Sequence, residues 1–102
     1  MIVEIVPNPY QKKTLHCSVG DTGLRKFTFE LFNNGVLLDN LSDVSLVCEN
    51  GEFPLREDNG WVCDCTELLT SKEGLFPCKI KVESNEGVIY SEAFNLHCEV
   101  KP

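Results

Sequence analysis

Apolar residues recur at every second position along this chain, in six runs. Leu15, Cys17 and Val19 alternate with His16 and Ser18, and Phe27, Phe29 and Leu31 with Lys26, Thr28 and Glu30. Val44, Leu46 and Cys48 alternate with Ser45, Val47 and Glu49, and Trp61, Cys63 and Cys65 with Val62 and Asp64. Phe76, Cys78, Ile80 and Val82 alternate with Pro77, Lys79, Lys81 and Glu83. Phe94, Leu96, Cys98 and Val100 alternate with Asn95, His97 and Glu99. Successive side chains of a strand point to opposite faces, so each run predicts a half-buried strand.

Turn signals separate the runs: Gly20-Asp21-Thr22-Gly23, Asn33-Asn34-Gly35, Glu49-Asn50-Gly51, Asp58-Asn59-Gly60 and Asn85-Glu86-Gly87. Gly and Asn accept the positive φ of tight reversals, and Asp can bond its own backbone there. Gly20, Asp21, Gly23, Asn34, Gly35, Asn59, Gly60 and Gly87 are therefore read as fold-setting turns and not as ligand groups. Asn85-Glu86-Gly87 between two alternating runs predicts a hairpin. One helical turn is predicted near Thr66 to Thr70, capped by Thr66. Short strands spaced by about 8–12 residues predict an all-β antiparallel sandwich. Pro7, Pro9 and Tyr10 suggest an extended N-terminal arm, residues 1–12, ahead of one domain at 13–102. Within the arm, Ile2 to Tyr10 is a candidate for strand exchange with a neighbour.

A length of 102 residues suits one domain, and 42% hydrophobic with 25% charged residues is ordinary globular usage. Nine Lys and Arg face sixteen Asp and Glu, for a net charge of −7. No basic run exceeds Lys12-Lys13 or Arg25-Lys26, so neither nucleic acid nor an anionic membrane surface is an expected partner. No segment approaches the roughly 18 apolar residues of a membrane span. Glu4 and Pro7 interrupt the apolar N-terminus and no basic stretch precedes it, so it does not read as a signal peptide. Folding in the cytoplasm of the producing cell is the expectation.

The six cysteines, Cys17, Cys48, Cys63, Cys65, Cys78 and Cys98, all fall on the apolar phase of their runs. Free Cys packs as a small hydrophobe, which favours reduced core thiols. One or more disulfides are the next reading, with 15 possible pairings for six cysteines. Structural zinc ranks last. Only Cys63-Asp64-Cys65 is close in sequence, and on a strand those sulfurs stand about 6.5–7 Å apart. His16 and His97 each adjoin a cysteine but take the opposite face, so they read as surface histidines beside core thiols. Cys48, Trp61 and Cys98 follow the Cys…Trp…Cys order of antibody-type domains. However, strands precede Cys48, and Leu96 stands where such domains carry the corner tyrosine.

Little else suggests catalysis. Glu57-Asp58 and the pair Asp39 and Asp43 lie in predicted loops, where charge is solvated, and no apolar pocket is indicated to raise a carboxyl pKa. There is no phosphate loop, nucleophile elbow, His-Glu-x-x-His or calcium loop. No enzyme activity, metal, cofactor or small-molecule substrate is expected. Several apolar residues fall off phase: Phe32, Val47 and Val62 point away from the predicted core, and Phe53 and Leu55 lie in or near a predicted loop. Clustered, these five would mark a protein–protein contact.

The most specific segment runs Val19-Gly20-Asp21-Thr22-Gly23-Leu24-Arg25-Lys26-Phe27-Thr28-Phe29-Glu30-Leu31-Phe32-Asn33-Asn34-Gly35, followed by Val36-Leu37-Leu38-Asp39-Asn40-Leu41. It resembles the opening of the phage baseplate upper protein N-terminal domain family: a Gly-Asp-Thr/Ser-Gly turn, a strand beginning near an Arg, an Asn-Gly hairpin and a hydrophobic-Asp-Leu stretch. Asn59-Gly60, Glu67-Leu68-Leu69, Glu73-Gly74-Leu75-Phe76 and Ser91-Glu92-Ala93-Phe94-Asn95-Leu96 extend the likeness from about Lys13 to Val100.

The resemblance implies an immunoglobulin-like sandwich of about seven to eight strands. It also implies a virion structural role in a phage or prophage tail tip, made in the host bacterial cytoplasm. Such a module anchors host-attachment components through contact with other phage structural proteins, in several copies. A head-fibre or decoration protein and a secreted, disulfide-stapled immunoglobulin-like module are the alternatives. Larger family members continue into a helical linker and a distal domain, and the abundance of cysteine departs from the family.

Overall fold

The computed structural model describes residues 2–4, 14–33, 35–38, 41, 43–91 and 93–100, with side chains described from Thr14 onward. The described residues form eleven strands and no helix. They are β1 (Ile2–Glu4), β2 (Thr14–Ser18), β3 (Lys26–Asn33), β4 (Val36–Leu37), β5 (Asp43–Cys48), β6 (Gly51–Pro54), β7 (Arg56–Glu57), β8 (Trp61–Asp64), β9 (Gly74–Ser84), β10 (Gly87–Tyr90) and β11 (Phe94–Glu99). One sheet has the order β1-β3-β8-β7, with β4 also on β3. The other has the order β2-β11-β9-β5-β6, with β10 also on β9.

The six predicted runs became β2, β3, β5, β8, β9 and β11, and their apolar phase forms the core, except for Val19 and Val100, which lie just past their strands and are exposed. Phe27, Phe29, Leu31, Trp61 and Cys63 of one sheet meet Val44, Leu46, Phe76, Cys78, Ile80, Phe94, Leu96 and Cys98 of the other. The Phe29 and Phe94 rings make contact at a centroid separation of 5.9 Å. The chain is thus all-β, with two sheets over one apolar core, an arrangement compatible with a β-sandwich.

The strand count exceeds the expected seven to eight because two long excursions are broken. The first changes sheet at Leu55. There β6 pairs with β5 and β7 with β8, and the Leu55 N–H donates to the Val44 carbonyl at 2.8 Å. The second break is a bulge. Tyr90 lies opposite Lys81 but Phe94 opposite Cys78, so three positions stand against two. Ser91 fills the break: its hydroxyl accepts from the Ile80 N–H at 2.9 Å, and its own N–H donates to the Ile80 carbonyl at 2.8 Å.

The sheets are also not purely antiparallel, which corrects the expectation. β1 lies parallel to β3 and β2 parallel to β11. A tight hairpin imposes antiparallel pairing, but strands far apart in sequence are free of that constraint. Ile2–Glu4 is therefore a docked strand of the same chain and not a free arm. Residues 1 and 5–12, the rest of the expected arm, lie outside the described residues.

The turns act as their residues dictate. Asn59 takes φ 51° and Gly60 φ 127° between β7 and β8. A Cβ at Gly60 would stand 3.1 Å from the Phe29 carbonyl oxygen, so glycine is required there for approach as well as for conformation. Gly35 has φ 77° at the β3–β4 reversal, where Asn33 pairs with Val36. Its companion Asn34 lies outside the described residues. The hairpin at 85–87 forms between β9 and β10, with Gly87 at φ 141° and the Glu86 N–H donating to the Ser84 hydroxyl at 3.2 Å.

The predicted helical turn is a single closed turn. The Leu69 N–H donates to the Thr66 hydroxyl at 3.2 Å, and the Thr70 N–H to the Thr66 carbonyl at 3.2 Å.

Candidate interaction face

The Gly20–Gly23 turn is held by its own residues. The Asp21 carboxylate accepts from the Ser18 N–H at 2.8 Å and from Arg25 Nε at 3.1 Å, so Arg25 pairs within the turn. The buried Thr70 hydroxyl donates to the Asp21 carbonyl at 2.7 Å, and the Gly20 N–H donates back to the Thr70 carbonyl at 3.1 Å. These are architectural bonds, tying the 66–70 turn to the end of β2.

The cysteines form cross-strand neighbours. Cys48 stands opposite Cys78 on β5–β9, and Cys17 opposite Cys98 on β2–β11. All six are free thiols, buried except Cys48, which is half-buried. Burial pushes Cys63 and Cys17 up to about 12 and Cys65 up to about 11, leaving poor nucleophiles. Cys48 differs. A hydrogen bond from the Cys78 thiol, supported by the backbone at Asn50 and Gly51, lowers it to about 6. The same bond pushes Cys78 up.

The antibody-type pattern does not fit this geometry. Cys48 and Cys98 lie in one sheet with β9 between them, whereas the antibody bridge joins two sheets. Two strand spacings are about 9.5 Å, beyond a disulfide's Cα reach.

The outward faces of the two sheets differ in character. On the four-strand path, Lys26, Thr28 and Glu30 of β3 face outward, with Lys26 opposite Asp64 and Thr28 opposite Val62. Arg56 Nε and Nη2 donate to the Asp64 carboxylate at 2.8 and 3.2 Å, and Nη1 donates to Asp58 at 3.2 Å. The Arg56 bond holds the Asp64 carboxyl below its ordinary range. Arg56 lies opposite Val62 and reaches Asp64, two positions along β8.

The six-stranded sheet presents a more apolar surface. The outward phase of β9 carries Leu75, Pro77, Lys79, Lys81 and Glu83. Val47 stands opposite Lys79, Tyr90 opposite Lys81 and Val88 opposite Glu83. Leu75 is 59% exposed, Tyr90 51% and Val88 44%. Val47, Pro77, Lys79, Tyr90 and Ala93 line a shallow depression of about 400 Å³ beside the Ser91 bulge. Lys81 Nζ meets Glu52 at 3.2 Å on its rim. Farther across the sheet, Leu75 stands opposite His97.

Of the five residues proposed from sequence as a contact surface, Val47 alone lines this depression. Phe32 is half-buried on the other sheet. Phe53, Leu55 and Val62 are buried within the chain, which corrects their assignment. Phe53 and Leu55 belong to the core because the segment after Gly51 is a strand that crosses between sheets. Val62 is outside the core cluster, as its phase requires, yet buried, with Arg56 opposite it on β7. Sequence reasoning missed Leu75, Pro77, Val88 and Tyr90. Leu75 was visible on the outward phase of the Phe76 run. Val88-Ile89-Tyr90 has no alternation to reveal a face.

The acids expected in loops are partly in strands, Glu57 in β7 and Asp43 in β5. Asp39 lies outside the described residues. Among the described residues, no helix is long and apolar enough to cross a membrane. No family model matches this chain, and a search of curated proteins finds no match.

Proposed function

We propose that this chain is a non-catalytic structural module of a phage or prophage virion. It sits at the tail tip and holds host-attachment components by protein–protein contact through the outward face of its six-stranded sheet. The observation that carries the contact mode is the set of outward apolar residues Leu75, Pro77, Val47, Tyr90 and Val88, interleaved with Lys79, Lys81 and Glu83. Exposed apolar surface rimmed by polar groups is what a protein partner buries. The partner this face suits is another virion structural protein with an apolar patch of its own. The place in a virion rests on the resemblance to the baseplate upper protein N-terminal domains, an immunoglobulin-like class, and several copies per particle follow from that resemblance. The two-sheet, all-β architecture supports the same reading.

Mass spectrometry of density-purified particles from the source strain tests the assignment. Presence in intact particles, partitioning with tails after head–tail separation, supports it. Partition with heads would move the module to a head fibre or decoration role. Absence from well-covered particles would remove the virion role.

A further inference from the structure

The parallel pairing of β2 with β11 places His97 directly opposite His16 in register. Both take the outward phase, as does Glu99, two positions along β11. The imidazole rings stand edge to face at a centroid separation of 5.6 Å. Nδ1 of His97 lies 3.2 Å from Oε1 of Glu99. One ligand atom from each of His16, His97 and Glu99 falls within 4.8 Å of the others. The trio is accessible: His16 and Glu99 are exposed and His97 is partly so.

We propose that His16, His97 and Glu99 form a binding site for one divalent transition-metal ion of the zinc class. Zinc bonds to imidazole nitrogen and carboxylate oxygen are about 2.0–2.2 Å, so tetrahedral ligand atoms stand about 3.3–3.5 Å apart. The 3.2 Å between His97 and Glu99 is already close to that spacing. The 4.8 Å limit requires the widest pair to close by roughly 1 Å, a rotamer adjustment open to exposed side chains. Two neutral imidazoles and a carboxylate suit Zn²⁺, Co²⁺, Ni²⁺ or Cu²⁺ and are a poor match for the all-oxygen shells of Ca²⁺ or Mg²⁺.

The surroundings suit a cation. The neighbouring ladder positions on this face are Thr14, Ser18, Asn95 and Leu75, none of them basic. The net charge of −7 acts in the same direction. Three protein ligands leave a fourth position for water, beside exposed Leu75. The site is independent of the proposed virion role.

Cobalt titration of the full-length, chelator-treated, reduced chain tests it, with Zn²⁺ as competitor. The expected result is one ion per chain, with tetrahedral d–d absorption and no thiolate-to-cobalt charge-transfer band. His16→Ala and His97→Ala should each weaken binding at least about tenfold. His97→Gln, which keeps a polar side chain, should do the same, and the metal-free thermal midpoint should stay at the wild-type value in all three. Absence of stoichiometric binding would overturn the proposal. So would a thiolate band, which would transfer the ion to cysteine, or unchanged affinity in any of these histidine variants.

Discussion

Thr70→Val isolates the bond network that ties the 66–70 turn to β2 and β11, the edge pair of the six-stranded sheet. Thr70 is fully buried. Its hydroxyl lies 2.7 Å from the Asp21 carbonyl and 3.1 Å from the Thr66 carbonyl, with one proton to donate between them. Its carbonyl in turn accepts from the Gly20 N–H at 3.1 Å and from the Cys98 thiol at 3.8 Å. Valine keeps the shape and removes only the donor. Removing one partner of a buried hydrogen bond costs about 1–3 kcal/mol. The added methyl returns part of that through burial, leaving a net loss of about 1–2 kcal/mol. With a urea m-value of about 1–3 kcal/mol per molar for a small domain, the midpoint should fall by roughly 0.3–2 M at unchanged slope. Equilibrium urea unfolding followed by Trp61 fluorescence reads this directly. A Thr70→Val midpoint equal to or above wild type would refute the reasoning, because the hydroxyl would then hold nothing that water does not.

Three further outcomes follow from the described geometry. Cys48, lowered to about 6 by the Cys78 hydrogen bond, should alkylate first of the six thiols, its rate rising with pH through about 6. A rise centred near 9, or loss of a different thiol first by peptide mapping, would contradict that pairing. Ser91→Ala removes the acceptor of the Ile80 N–H at the bulge and should cost about 1–3 kcal/mol in urea unfolding. A neutral effect would mean that the serine does not close the bulge. Thiol titration of the denatured, unreduced chain should give six. A count lower by two would point to a closed cross-strand pair, Cys48–Cys78 or Cys17–Cys98.

Much of the core was legible because its signal is local. Phe27, Phe29 and Leu31, or Cys78, Ile80 and Val82, declare their face by period alone, and a buried face must follow. Pairing is not local. Nothing in the residues around His16 shows that it lies opposite His97, since parallel register between the two ends of the chain is decided by the whole sandwich. The histidines therefore read as isolated surface residues until the sheet was assembled.

Phe53 and Leu55 share a phase, but Pro54 and the preceding turn disguised a strand that changes sheets. Val62 was placed outward correctly. Its burial was not legible, because neither the pairing of Arg56 opposite it nor the reach of Arg56 to Asp64 is written locally in the sequence. Tyr90 faces outward although Phe94, four positions on, faces the core, because the bulge at Ser91 adds a residue between them, which simple alternation does not anticipate.

The central claim is that the outward face of the six-stranded sheet is the contact surface that places this chain in a particle. The most direct test supplies variants to a producer strain lacking the chain and measures their abundance in density-purified particles. The double variant Leu75→Glu with Tyr90→Glu puts two charges among the apolar residues of that face. Glu30→Lys alters the outward face of the other sheet and serves as control. The account predicts that the double variant folds with the wild-type thermal midpoint yet is missing from particles, while Glu30→Lys is incorporated normally. Incorporation of the double variant at the wild-type level would contradict it.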